Sequence, residues 1–192
     1  MRLGLDRMWL LLAALGDPQR AFAAIHVVGT NGKSSTTRMT EALLLAAGVT
    51  VGSTVSPHVR SWGERIHVGG REVDFEQAVA RVRPAAERAG ATQFEAISAA
   101  AFAAFADAGV AVAVVEAGLG GRWDATNVLG AGVVVLTNID LDHTDVLGDS
   151  RQAIAAEKLA VVRPGAVVVV GEPEWALPAR EAVVWRTGLR GR

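Results

Sequence analysis

The run Gly29-Thr30-Asn31-Gly32-Lys33-Ser34 limits the possible folds of this chain more than any other feature. It stands between an apolar stretch with strand character, Ala24 to Val28, and a stretch with helical character, Ser35 to Ala47. Strand, glycine-bearing turn and helix, in that order, are what a phosphate-binding loop requires. Glycines let backbone N–H groups close around phosphate oxygens, and the helix start adds about half a positive charge. In such a loop Lys33 reaches the β- and γ-phosphates of ATP, and the Ser34 hydroxyl ligates Mg²⁺. Gly29, Thr30, Asn31, Gly32, Lys33, Ser34 and Ser35 are therefore the candidate ATP-binding residues. The chain departs from the general G-x-x-x-x-G-K-[ST] pattern at the first glycine, where Val27 stands. The plain alternative is a strand-to-helix turn that happens to contain Gly-Lys-Ser.

The alternation continues along the chain. Short apolar runs at Val110 to Val115, Val133 to Leu136 and Val167 to Val170, with a weaker one at Thr50 to Val55, suit parallel strands covered on both faces. Helical stretches lie between them at Phe75 to Arg88, Thr92 to Ala108 and Arg151 to Val162. Thr92 with Glu95 forms a capping box at a helix start, and Pro84 is expected to kink or split the helix before it. Gly69-Gly70 within Ile66 to Val73 predicts a β-hairpin. The expected fold class is α/β, a mostly parallel sheet with flanking helices and right-handed crossovers. Trp9 to Leu15, ended by Gly16, reads as a short amphipathic first helix; Asp6 and Asp17-Pro18-Gln19-Arg20 interrupt a secretory-leader pattern. After Gly171 come Trp175, Trp185 and four arginines with no clear period, either a docked extension or a loose end.

Composition excludes several function classes. With 192 residues, 51% hydrophobic and 20% charged, the chain is globular. A net charge of −1 gives no general attraction to nucleic acid or anionic membrane, so a bound anion needs a local site. No apolar run reaches the roughly 18 residues of a membrane span. The absence of cysteine removes disulfides, thiolate catalysis and Cys-ligated metal, and fits a cytoplasmic protein.

Other residues offer chemistry of their own. Glu116 ends an apolar strand, where open α/β sheets place ligands, and a carboxylate opposite a phosphate loop suits Mg²⁺; a charge that only solvates the strand end is the alternative. The glycines from Gly118 to Gly121 allow close backbone approach to a ligand, and Arg122 is able to bind an anion; a tight turn is the alternative. His143 lies in a loop with Asp140, Asp142 and Asp145, as a metal-ligand candidate or a polar surface residue. Lys158 by itself reads as a solvated helix residue.

The Gly-Thr-Asn-Gly-Lys-Ser form with Val27 before it resembles the Mur ligase superfamily. Further segments are similar to its folate branch, folylpolyglutamate synthase/dihydrofolate synthase: Ser56-Pro57-His58, Gly63-Glu64-Arg65-Ile66, Glu116 to Arg122 with Asp124-Ala125-Thr126-Asn127, and Asn138-Ile139 leading to Leu141-Asp142-His143-Thr144. Glu157-Lys158 before Pro164-Gly165 follows in order, so the resemblance covers residues 3 to 171. It implies a P-loop NTPase-like central domain and an ATP-dependent ligase acting in two steps. ATP phosphorylates a carboxylate of dihydropteroate or a reduced folate, and the amine of L-glutamate then displaces phosphate. The resemblance further implies catalytic roles for Lys33, His143 and Lys158, and two Mg²⁺ ions held by Ser34, Glu116, His143 and a carbamylated Lys158. Ser56, Pro57, His58, Arg122, Asp124 and Asn127 are implied substrate contacts, a plain turn being the alternative for the first three. The expected unit is a cytoplasmic monomer, with neither nucleic acid nor membrane as partner. The family is usually more than twice as long, so residues 1 to 171 are expected to be an incomplete ATP-binding domain, 172 to 192 a divergent tail, with the C-terminal ligase domain absent. Two readings remain beside it: an inactive ATP-binding fragment, and a cell-wall Mur-type amino-acid ligase.

Overall fold

The computed structural model describes residues 4–176 and 183–186. Helix α1 (Asp6–Ala14) precedes strand β1 (Ala23–Val28), and α2 (Lys33–Ala46) leads to β2 (Val51–Thr54). The hairpin β3 (Ile66–Val68) and β4 (Arg71–Glu72) comes next, then α3 (Phe75–Ala89) and α4 (Gln93–Asp107). The second half is β5 (Val112–Glu116), β6 (Val133–Leu136), the short helix α5 (Thr144–Leu147), α6 (Arg151–Leu159), β7 (Val167–Val170) and β8 (Val183–Arg186).

Among the described residues the eight strands form one sheet in the order β4-β3-β2-β5-β1-β6-β7-β8. The pairs from β2 through β8 are parallel, and only the hairpin runs antiparallel to its neighbours. The parallel strands therefore end together at one edge. From β1 the chain winds first toward β2 and later, through β6, in the opposite sense. Their connecting loops part at the carboxyl end of β1, which is where open sheets of this kind leave a crevice for ligands.

Alternate strand residues feed different cores. Val27, Val51 and Val114 pack with Leu44 and Leu45 of α2. Val28, Val134 and Val168 join Ile154, Ala155 and Leu159 of α6. Ala113 and Val115 join Phe102 and Phe105 of α4 and Met8, Leu11 and Leu12 of α1. The runs were nearly all apolar because both faces of these strands are covered.

Local signals held at most boundaries. Thr92 caps α4 with Glu95 returning the bond, and Gly69-Gly70 form the two-residue turn of the hairpin. Pro84, in contrast, lies inside α3 and does not split it. The lost hydrogen bond is outweighed by burial of Val82, Ala85 and Ala86 around that turn. In the C-terminal segment, Trp175 is buried and its Nε1 donates to Glu172 at 2.7 Å, while β8 adds to the sheet beside β7. The tail readings for 177–182 and 187–192 lie outside the described residues, as do residues 1–3.

Candidate active site

The phosphate loop is shaped from outside by the segment after β6. Gly29 has φ +147°, and a Cβ there would come within 1.9 Å of Thr137 Oγ1, so only glycine lets the two segments meet. Thr137 Oγ1 donates to the Asn31 carbonyl at 2.7 Å. The Thr30 N–H donates to the Asn138 carbonyl at 3.0 Å, and the Asn31 N–H to Asn138 Oδ1 at 2.8 Å. Gly32 then turns the chain with φ +79°, and α2 begins at Lys33. The N–H groups of the first helical residues, Lys33, Ser34 and Ser35, have no intrahelical acceptor and point out of the helix start. Lys33 Nζ folds back over the loop to the Thr30 carbonyl at 3.0 Å.

Two buried ionisable groups face this loop. Glu116, at the end of β5, accepts from the Ser34 hydroxyl at 3.0 Å and from the Ser56 N–H at 3.1 Å. Burial pushes its carboxyl above the usual range, and those bonds with the charges of Lys33 and Arg38 only partly offset the shift. Lys158, on α6, is 5% exposed and donates from Nζ to the Gly29 carbonyl at 2.7 Å. Burial and then the nearby Lys33 charge push its pKa down to about 8. The solvated helix residue of the plain reading is thus a buried lysine touching the phosphate loop.

The loop after β2 is tied to the same place. Besides the bond from Ser56 to Glu116, the Glu64 carboxylate accepts from the N–H groups of Val59, Arg60 and Ser61. Arg38 of α2 reaches Glu41, Ser53 and the Glu64 carbonyl, anchoring the turn to the helix that starts with Lys33. His58 accepts from Arg65 Nε at 3.0 Å and lies 4.4 Å from the Trp62 ring. Gly63-Glu64-Arg65-Ile66 therefore serves here as the frame of this loop.

The segment after Glu116 differs from its sequence reading. Arg122, expected to bind an anion, pairs with Glu157 at 2.9 Å. Asp124 is buried and accepts from the Leu119 N–H at 2.8 Å and from the backbone and hydroxyl of Thr126. Asn127 donates to the Arg122 carbonyl at 2.9 Å. These groups hold the segment in shape. Gly121 lies against α6, where a Cβ would be 2.6 Å from the Lys158 carbonyl oxygen. On the outer side opens a cavity of about 510 Å³ lined by Phe94, Leu119, Trp123, Asp124, Val146 and Leu147. Ser56, Pro57 and His58 are not among its lining residues.

His143 occupies a left-handed backbone conformation, φ +50°, with an exposed ring 3.7 Å from Asp142. Among the described residues no group of three or more His, Asp or Glu side chains converges as a metal cage. Mg²⁺ at a nucleotide site does not need one, because phosphate oxygens and water complete its shell around one or two carboxylates. The hydroxyl of Ser34 against the carboxylate of Glu116 is a donor set of that kind.

The sequence matches the Mur ligase middle domain over residues 27–175. The chain belongs to the Mur ligase family. It is 43% identical over 189 residues to the dihydrofolate synthase/folylpolyglutamate synthase of Mycobacterium tuberculosis, covering 87% of this chain and 39% of that protein. The enzyme of the same name from Escherichia coli is 42% identical over 175 residues, covering 90% of this chain and 42% of the other. The solved structure of E. coli FolC in complex with DHPP and ADP matches with a TM-score of 0.90 and 39% identity, over 98% of this chain and 48% of that one. A bifunctional folylpolyglutamate synthase/dihydrofolate synthase with Mn, AMPPNP and L-glutamate bound matches with a TM-score of 0.87 and 36% identity, over 97% and 48%. The chain spans less than half the length of these relatives.

Several site residues escaped the sequence reading. Arg38 and Phe94 sit inside helices whose pattern explained them, and Trp123 was one more apolar residue in a turn. Thr137 follows the end of β6, and His26 lies inside β1 among apolar residues. No local signal marks any of them, since each matters through a partner far away in the chain.

Proposed function

We propose that this chain is the nucleotide-binding part of an ATP-dependent ligase that joins L-glutamate to a carboxylate of dihydropteroate or a reduced folate. The observation that carries the reading is the meeting of Lys33, Ser34 and Glu116 at the phosphate loop, one short segment away from an apolar cavity with a buried carboxylate. Gly29 to Ser35 bind the phosphates of ATP, with Lys33 offsetting charge on the transferred phosphoryl group. Transfer to the pteroate carboxylate gives an acyl phosphate. The amine of glutamate attacks that carbonyl and phosphate leaves. Phe94 and Trp123 supply flat walls for a heteroaromatic ring, and Asp124 an acceptor for its N–H groups.

Ser34 and Glu116 would hold one Mg²⁺; His143 and Lys158, once carbamylated, would hold a second. Bound there, Mg²⁺ supplies charge neutralisation on the phosphates. A pKa of about 8 leaves Lys158 a neutral fraction able to attack CO₂, forming an N–C bond and releasing one proton. The carbamate nitrogen keeps an N–H for the Gly29 carbonyl. Ser56 to His58, Arg122 and Asn127 shape the pteroate side through the loops they hold. Residues 1 to 171 form the ATP-binding domain in this reading, and the working unit is a cytoplasmic monomer without nucleic-acid or membrane partners.

The test is ADP release by the purified chain with Mg²⁺, ATP and glutamate, adding dihydropteroate or tetrahydrofolate in turn. Release that needs both glutamate and a pteroate or folate supports the ligase and names its substrate. ATP binding with no such release would reduce the chain to an inert nucleotide-binding part.

A further inference from the structure

His26 is polar, 1% exposed and set in the central strand that runs into the phosphate loop, and its side chain bonds to Thr126. Its Nε2 stands 2.8 Å from Thr126 Oγ1. The Thr126 hydroxyl in turn donates to Asp124 Oδ1. A hydroxyl has one proton, so having given it to the carboxylate Thr126 is left to accept from His26. That assigns the proton of a neutral ring to Nε2. Burial, with the charge of Arg163 adding, pushes the His26 pKa down to about 4, in keeping with a neutral ring. The result is a one-way chain of donors, from His26 N–H through Thr126 O–H to Asp124.

The far end of this chain is held on both sides. Asp124 Oδ1 also takes the Thr126 N–H at 3.0 Å, and Oδ2 takes the Leu119 N–H at 2.8 Å. A buried carboxylate with too few donors gives up its charge or turns away. Each hydrogen bond from the chain opposes both outcomes, at the wall of the cavity.

We infer that His26 and Thr126 are positioning residues for ligand recognition, aiming the Asp124 carboxylate at the donor-bearing edge of a planar heterocycle in the cavity. The inference rests on the cavity reading given above. It also ties that carboxylate to the strand that delivers Gly29 and Lys33, so the second-substrate wall and the phosphate loop share one rigid element.

Two pairs of variants test it in the full chain. Thr126→Val and His26→Leu break the donor chain with little change of size. Thr126→Ser and His26→Gln keep a hydroxyl and an N–H donor. One readout is hydrogen exchange at the Leu119 amide, whose acceptor is Asp124 Oδ2. The other is calorimetric affinity for dihydropteroate, compared with affinity for an ATP analogue. Breaking the chain is expected to speed Leu119 exchange and weaken dihydropteroate binding, each by roughly tenfold or more, from the worth of a bond to a charged group. Nucleotide affinity stays unchanged, and the Ser and Gln variants restore both readouts. Unchanged Leu119 exchange in Thr126→Val overturns the inference, as does equal failure of the Ser and Val variants. If exchange responds but Asp124→Asn leaves dihydropteroate affinity untouched, the cavity reading itself falls, while the hold of the chain on Asp124 stands.

Discussion

Two glycine-bearing loops leave neighbouring strands of the same sheet and end in opposite physical states. The loop after β1, Gly29 to Gly32, is braced by Thr137 and Asn138 and leads into a helix start whose first N–H groups remain available to an anion. The segment after β5, Gly118 to Asn127, spends its polar groups on the protein itself: Asp124 takes donors from Leu119 and Thr126, Asn127 holds the Arg122 carbonyl, and Arg122 pairs with Glu157 at the surface. The first loop leaves backbone donors at a helix start, and the second uses its donors internally. A glycine-rich segment at a strand end therefore does not say which of these it is. The partner of each N–H decides.

Variants can break that contrast, beginning with the largest effect. Lys33→Ala removes the cation of the first loop but no buried contact of the fold. Affinity for an ATP analogue should fall by roughly a hundredfold or more, with the melting temperature nearly unchanged; normal affinity would remove the phosphate-loop assignment. Gly121→Ala attacks the second loop instead. Its Cβ would meet the Lys158 and Glu157 carbonyl oxygens at 2.6 and 2.7 Å, and these are backbone atoms that cannot swing aside. Unfolding by denaturant should show a loss of about 3 kcal/mol. Wild-type stability there would mean that α6 does not lie so close.

A pH measurement sharpens the difference further. The His26 pKa is about 4 in the fold against 6.5 when unexposed surroundings do not act, so the unfolded chain binds the proton first. Stability is complete above pH 6.5 and is lost as pH falls toward 4. By pH 5 the loss assignable to His26 is about 2 kcal/mol, from one and a half pKa units. His26→Gln should lose that much less between pH 7 and pH 5; an identical pH dependence would show that His26 is not buried and neutral. The smallest stability change concerns Glu116. Its carboxyl is raised by burial, so ionisation costs folding stability once pH passes the ordinary carboxylate range. Glu116→Gln keeps acceptor and size, and should melt slightly higher at pH 7 while binding Mg²⁺-nucleotide more weakly. A lower melting temperature would show that the bonds from Ser34 and Ser56 already outweigh the desolvation.

The elements of the fold were legible because their signals are local. Four valines in a row at Val167 to Val170, or Thr92 three residues before Glu95, act through neighbours in the chain. The strand before Gly29 and the helix after it were visible for the same reason. Pro84 does not split α3, because burial around that turn overrides the local penalty. In the candidate site Glu116 and Lys158, which face the loop after β1, were named from the sequence, but several residues that brace or flank them were not. Arg38, Phe94, Thr137 and His26 carry no pattern that separates them from ordinary helix, strand or turn residues. Asp124 and Asn127 were named for their segment, and the direction in which they bond came only with the fold.

Backbone conformation and covalent neighbours were thus enough to specify a parallel α/β sheet with a glycine turn and helix start after its central strand, since strand, turn and helix propensities act over a few residues. Whether a polar side chain faces a ligand or the interior depended on segments a hundred residues apart meeting in the fold, as His26 and Thr126 do. Burial, hydrogen-bond supply and pKa are properties of that meeting, so Lys158 became a buried lysine near pKa 8 and Asp124 a fixed wall only once the chain had closed around them.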